Sequence, residues 1–287
     1  MSSKLNQLAK HFASLHVPGK PLILTNVYDC ASTNAMLSLR PEIQAIATSS
    51  YAVASANGLT DQTLTLDVHA EALARISKVV KSTDPTANKA LGIPLSCDIL
   101  DGHGSKLSET MKKIIELGAV GCNIEDSYYD PATKKTKLYS VEEMKNRILQ
   151  AKKVATELGV PDFVFNVRTD ASFVHDRSGQ DIDEAVARGK AYLATDVPTT
   201  IFVWSGGAPG GTSSENVRRL VKEFDGRLSV LLNPKDAGGL SVDELAKLGV
   251  ARVSIGILIF VQTMNATKAL AKDILTGGYM GTLGVKG

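Results

Sequence analysis

The sequence predicts a (β/α)8 barrel, an α/β fold, and three observations carry the prediction. Eight short β-branched runs alternate with longer amphipathic stretches from one end of the chain to the other. The 287 residues suit one such domain, residues 1–287, with no linker dividing it. The residues between the runs are those that stop helices and start strands. An open doubly wound sheet shares this alternation, because periodicity does not report closure.

Taken in order, the chain opens on a helix: Leu5, Leu8, Phe12 and Leu15 recur at helical spacing in the first twenty residues. That stretch lacks acids, as a mitochondrial presequence does, but also lacks Arg and the apolar run of a secretory signal, so an ordinary amphipathic helix and a cytoplasmic location are expected. Strands are expected at 21–29, 43–50, 93–99, 119–126, 163–170, 200–205, 228–233 and 251–256. Helices are expected at 32–38, 67–81, 106–117, 141–158, 182–194, 214–224, 242–248 and 261–275. Ser140 with Glu143 and Ser241 with Glu244 read as capping boxes. Gly118, Gly159 and Gly249 stand where a helix must end before the next strand. The run 250–259 is almost continuously apolar, as a strand covered on both faces requires. The Gly-rich stretch 206–212 reads as a loop.

Composition narrows the function. Thirty-two Lys and Arg against thirty Asp and Glu leave a net charge of +2, too little to draw the chain to nucleic acid or anionic lipid. No apolar run approaches the roughly 18 residues of a membrane span. Cys30, Cys97 and Cys122 are odd in number and unclustered, which suits buried thiols better than disulfides or a zinc site.

Parallel barrels gather their chemistry at the carboxyl ends of the strands, and here those ends are acidic. Asp98 and Asp101 end the third, Glu125 and Asp126 the fourth, Asp170 the fifth; Asp61 lies in the loop after the second. Carboxylates on adjacent strand ends repel unless a cation sits among them, and hard oxygen ligands suit Mg²⁺ or Mn²⁺. Asp98 and Glu125 are the favoured ligands; Asp101, Asp126 and Asp170 serve equally well as helix caps. Arg168 suits a substrate carboxylate gripped bidentately, or an ion pair with Glu125 or Asp170. Ser49, Ser50 and Tyr51 offer hydroxyl and N–H groups at the end of strand two, and Asn233 ends strand seven beside Pro234. His103, between two glycines, reads as a loop residue, and Trp204 as packing.

These residues resemble the isocitrate lyase/phosphoenolpyruvate mutase superfamily over nearly the whole chain. The matching blocks are 47–50 with 58–61, 98–104, 118–126 and 166–170, with 241–256 similar to small mutase-like members. The resemblance implies a Mg²⁺-dependent barrel, usually a homotetramer with helices swapped between partners, here the C-terminal one. It makes or breaks a bond beside a 2-oxo acid through an enolate. It implies Asp98 as direct metal ligand, Asp61 and Glu125 as ligands through water, Arg168 on the substrate carboxylate, and Ser49 and Ser50 orienting it. Asp61, Tyr51 and Arg168 are the candidate catalytic residues; Ser49, Ser50, Arg168 and Asn233 the candidate substrate contacts.

Two departures stand out. The family has a second acid two residues after the first on strand three; here that place is Leu100, and Asp101, on the other face, does not substitute unless the strand bulges. The loop after strand four, where lyases carry a Lys-Lys/Arg-Cys-Gly-His motif, has neither Cys nor His, and it also lacks the Asn of mutases and phosphonopyruvate hydrolases. Three readings follow. The first is a metal-dependent lyase or hydrolase of a carbon-carbon bond in a short, oxaloacetate-like 2-oxo or 2-hydroxy dicarboxylate, which needs no loop acid; Tyr128 and Tyr129 read as loop anchors before proton donors. The others are a phosphoenolpyruvate/phosphonopyruvate mutase or hydrolase, and a catalytically retired carboxylate-binding barrel.

Overall fold

A computed structural model describes residues 3–82, 92–176, 181–206 and 211–278. Its strands are β1 (Leu22–Val27), β2 (Ile46–Thr48), β3 (Leu95–Asp98), β4 (Gly121–Glu125), β5 (Ser127–Asp130), β6 (Lys135–Leu138), β7 (Val164–Thr169), β8 (Thr200–Val203), β9 (Leu228–Leu231) and β10 (Arg252–Ser254). Eight of them close a parallel barrel in the order β1-β10-β9-β8-β7-β4-β3-β2, which removes the open-sheet alternative; β5 and β6 form a separate antiparallel hairpin. Every expected strand is present, each shorter than expected at one or both ends.

The helices are α1 (Lys4–Ser14), α2 (Cys30–Leu37), α3 (Ser50–Ala56), α4 (Leu66–Ser82), α5 (Leu107–Glu116), α6 (Val141–Glu157), α7 (Ala171–Asp176), α8 (Asp183–Leu193), α9 (Ser214–Glu223), α10 (Val242–Lys247) and α11 (Leu258–Leu275). Ser241 and Glu244 form the full capping box; at α6 only half is made, the Ser140 hydroxyl accepting from the Glu143 N–H. Gly118, Gly159 and Gly249 all take positive φ just past a helix, a region open to glycine at little cost. The 250–259 run is not one strand: only three residues pair, and α11 begins at Leu258. Most of the Gly-rich stretch, 207–210, lies outside the described residues.

Side chains alternate across a strand, so in-register partners on neighbouring strands share a face. One inward row runs Asp98, Asn123, Asn166, Thr200. A second runs Glu125, Arg168, Phe202, Ser229, Arg252, Leu22 across six strands. Because barrel strands tilt, this second row descends from Glu125, the last residue of β4, to Arg252 and Leu22, the first residues of their strands. Helix α1 closes the lower end: a Cβ placed on Gly121 would come within 2.6 Å of the Phe12 ring. Burying Leu8, Ala9 and Phe12 makes α1 part of the core.

Candidate active site

Asp98 is the centre of the mouth. Its Oδ2 accepts from the Ser50 N–H at 2.9 Å and its Oδ1 from Asn123 Nδ2 at 2.8 Å, while its own N–H donates to Thr48 Oγ1 at 3.0 Å. The Ser50 N–H is free to do this because it opens α3, whose N-cap is Ser49, with its hydroxyl facing Ala52 N. An α-helix leaves its first N–H groups without intrahelical partners. Ser49, Ser50 and Tyr51 therefore do not end a strand; they start a helix that sequence periodicity did not reveal. The Tyr51 ring, 44% exposed, meets Phe260 of α11 edge-on at 6.4 Å.

Behind Asp98 stands a directed hydrogen-bond chain. Thr200 Oγ1 donates to Asn166 Oδ1 at 2.7 Å, Asn166 Nδ2 to Asn123 Oδ1 at 2.8 Å, and Asn123 Nδ2 to Asp98. Each amide thus has its O/N orientation set by its neighbours. The sequence carries a signal for it, polar residues two apart at Asn123 and Glu125 and at Asn166, Arg168 and Asp170.

Arg168 is held through three of its five N–H groups. Its Nε and Nη2 reach Asp170 at 2.5 and 3.0 Å, its Nη1 reaches Glu125 at 3.0 Å, and its guanidinium lies 4.2 Å from the Trp204 ring centroid. Both ion pairs anticipated for it exist together, and burial, which opposes its charge, is outweighed by Asp170 and then Glu125. Asp170 also accepts from Ser127 Oγ at 2.6 Å. Asp126 faces elsewhere: fully buried, it accepts from Tyr192 Oη at 2.8 Å and the Asp170 N–H at 2.9 Å, and pairs with Arg188.

The mouth is electrostatically unsatisfied. Burial, and then the neighbouring Asp98 charge, pushes Asp61 up to about 6, and Asp61 Oδ1 is buried without a partner. Glu125 is pushed well up by burial, which Arg168 counteracts and Asp170, Asp98 and Asp61 reinforce. Among the described residues no three His, Cys, Asp or Glu side chains stand close enough to hold a metal by themselves. Mg²⁺ does not require that, since it keeps several waters and takes one or two carboxylates. Hard oxygen donors that hinder one another's ionisation, one with an orphaned oxygen, fit a divalent cation.

Asp101 does not replace the missing acid. Leu100 takes φ 56°, which ends the strand, and Asp101 turns to the Gly104 N–H at 3.2 Å and the Tyr139 hydroxyl at 2.6 Å. His103 meets His69, Nε2 to Nδ1 at 3.0 Å, both held below their ordinary range chiefly by burial. Asn233 bonds back to the Leu231 carbonyl at 3.1 Å, as a turn residue does. After β4 the chain folds into the β5–β6 hairpin, locked by Lys137 to Asp130 at 2.5 Å, with Tyr128 stacked on Tyr139 at 4.6 Å and Tyr129 40% exposed.

Comparisons with known proteins agree with this geometry. The family profile described as phosphoenolpyruvate phosphomutase matches residues 12–275. The chain is similar to 2-methylisocitrate lyase of Escherichia coli (strain K12), 32% identical over 198 residues, covering 63% of this chain and 60% of that one. It is 32% identical to a Burkholderia cenocepacia J2315 structure provisionally described as a phosphonomutase, with TM-score 0.78 over 93% of this chain and 98% of that one. A 2,3-dimethylmalate lyase structure shares the fold at TM-score 0.76 and 20% identity, over all of this chain and 92% of its own. With a closed barrel, acids and an arginine at its carboxyl-end mouth and a profile match over most of its length, this chain belongs to the phosphoenolpyruvate phosphomutase family, in the superfamily of lyases and mutases that includes isocitrate lyase.

Proposed function

We propose that this barrel is a Mg²⁺- or Mn²⁺-dependent lyase or hydrolase that cleaves a carbon-carbon bond of a short, oxaloacetate-like 2-oxo or 2-hydroxy dicarboxylate. The observation that carries the reading is the convergence of Asp98, Asp61 and Glu125 beside Arg168, with the Asp61 oxygen unpartnered. Asp98 would hold the ion directly, with Asp61 and Glu125 acting through water. When bound, the cation supplies positive charge where an enolate develops. Arg168, rigid between Asp170, Glu125 and Trp204, keeps its outer N–H edge for a substrate carboxylate. Ser49 and Ser50 set the wall beside Asp98, and Asn233 lies on the rim.

The hairpin supports carbon-carbon cleavage that needs no loop acid: it presents neither Cys nor His, and its tyrosines are spent on stacking or exposed. An oxaloacetate acetylhydrolase solved with its product oxalate shares the fold, at TM-score 0.77 and 21% identity. Incubation with Mg²⁺ and either oxaloacetate or phosphonopyruvate, followed by proton and phosphorus NMR, tests the reading. Loss of oxaloacetate is expected; turnover of the carbon-phosphorus bond instead would establish the mutase or hydrolase reading. Leu100 favours the retired, carboxylate-binding reading, which absence of metal binding up to millimolar Mn²⁺ would establish.

The same reading includes a homotetramer, built as a dimer of dimers. None of the 18 residues of α11 is buried, and Met264, Leu270 and Ile274 are 43%, 48% and 42% exposed. A second copy is their expected cover. Light scattering should give four chains, and Leu270→Glu with Ile274→Glu should lower that number.

A further inference from the structure

Arg252 opens β10 at the floor of the barrel, the end opposite Asp98, which closes β3. It is the largest fully buried side chain among the described residues, 1% exposed, and its Nε and Nη1 have no hydrogen-bond partner. The ion pairs of the described residues do not include it. In register beside it on β9 lies Ser229, fully buried, whose Oγ is also unpartnered. Helix α1 seals this end, with Phe12 under Gly121 and the His16 ring edge-on to Phe12 at 5.0 Å. His16 Nδ1 bonds to the Phe12 carbonyl at 2.9 Å.

A guanidinium does not escape burial by losing its proton: burial, partly offset by Cys122 and the more distant field of Asp98, lowers Arg252 only to about 9, leaving it charged at neutral pH with no ion-pair partner in contact. Buried charges are paired, and buried N–H groups are bonded. A water molecule would satisfy the N–H groups and leave the charge. A small anion answers both, with the Ser229 hydroxyl as a further donor. We infer that the barrel floor binds a halide-sized monovalent anion between Arg252 and Ser229, in a site separate from the mouth.

The test uses protein purified in sodium gluconate and then crystallised in bromide, with Tm followed in halide and in gluconate at equal ionic strength. An anomalous bromide peak within hydrogen-bond reach of Arg252 is expected. So is a rise in Tm of about 3 °C or more between 1 and 100 mM halide, absent in Arg252→Met. Ser229→Ala keeps the charge and should raise the half-saturating halide concentration about tenfold, which serves if Arg252→Met does not fold. A water in place of the peak, or equal Tm in the two salts, overturns the inference.

Discussion

The two sides of the barrel are built on opposite plans. On β3, β4 and β7 the inward positions grow more charged toward the mouth: Ser96 then Asp98, Asn123 then Glu125, Asn166 then Arg168. On β9, β10 and β1 the lowest inward positions are Ser229, Arg252 and Leu22, followed in the same alternation by Leu231, Ser254 and Leu24. One wall concentrates charge where solvent and substrate arrive; the other keeps its one cation at the floor. Charge at an open strand end costs less solvation than charge inside, so a site with four carboxylates is tolerable only at the mouth, and only on a wall with arginine and backbone donors to meet them.

The largest effect expected on this asymmetry comes from its centre. Asp98→Ala removes the acceptor of both Ser50 N–H and Asn123 Nδ2 and the direct metal ligand of the proposed function. Turnover should fall at least about a thousandfold, with Mn²⁺ binding, read by electron paramagnetic resonance, lost alongside it. Full Mn²⁺ affinity in this variant would place the cation elsewhere. Arg168→Lys comes next. A point-charge ammonium does not make the Nε/Nη2 fork to Asp170 together with the Nη1 contact to Glu125, so kcat/KM should drop about a hundredfold with the circular dichroism spectrum intact.

How far this contrast was legible beforehand depends on what made each part. Strand periodicity and glycine punctuation are local, and all eight barrel strands were readable from them. Helix α3 was not: residues 50–56, Ser-Tyr-Ala-Val-Ala-Ser-Ala, carry no amphipathic period, and the helix forms where the Ser49 cap and the bond to Asp98 hold its first turn. The β5–β6 hairpin is not legible because Lys134 and Lys135 are charged and exposed, with Lys134 in the left-handed region at φ 53°. Among site residues, acids at strand ends were visible as chemistry out of place. Asn123, Asn166 and Thr200 were not, since their meaning lies in a register between strands 34 or more residues apart. Trp204 does pack, between the Phe173 ring and the Arg168 guanidinium.

That register yields a smaller effect. Thr200→Val removes the hydroxyl that orients Asn166, three bonds from Asp98, and should weaken Mn²⁺ binding about tenfold, with Thr200→Ser restoring it. Loss of stability without loss of metal affinity would make the chain a packing device only. Proton linkage probes the same wall. Asp61 holds its proton to about pH 6 in the folded chain, above its unfolded range, so the metal-free protein loses stability as pH rises from about 4 to 6. A cation there relieves a carboxylate charged only above that window. The Tm gain from Mg²⁺ should therefore be larger at pH 8 than at pH 5, whereas a pH-independent gain would remove Asp61 from the site.

The smallest expected effect is the most pointed. Leu100→Asp puts an acid at the place where the family resemblance implies a second carboxylate. Were β3 still extended there, positions 98 and 100 would share a face and metal affinity would rise tenfold or more. But Leu100 sits at φ 56°, its carbonyl holds the Glu125 N–H at 3.0 Å, and Asp101 is already pinned by Tyr139 and Gly104. The new carboxylate would leave the turn rather than the strand, so a gain of about threefold is expected. Aspartate tolerates the left-handed region better than leucine, so Tm should hold or rise by about 1 °C. A tenfold tightening would show that the turn straightens when given a ligand, making the end of β3, and not the absent side chain, the adjustable part of the charged wall.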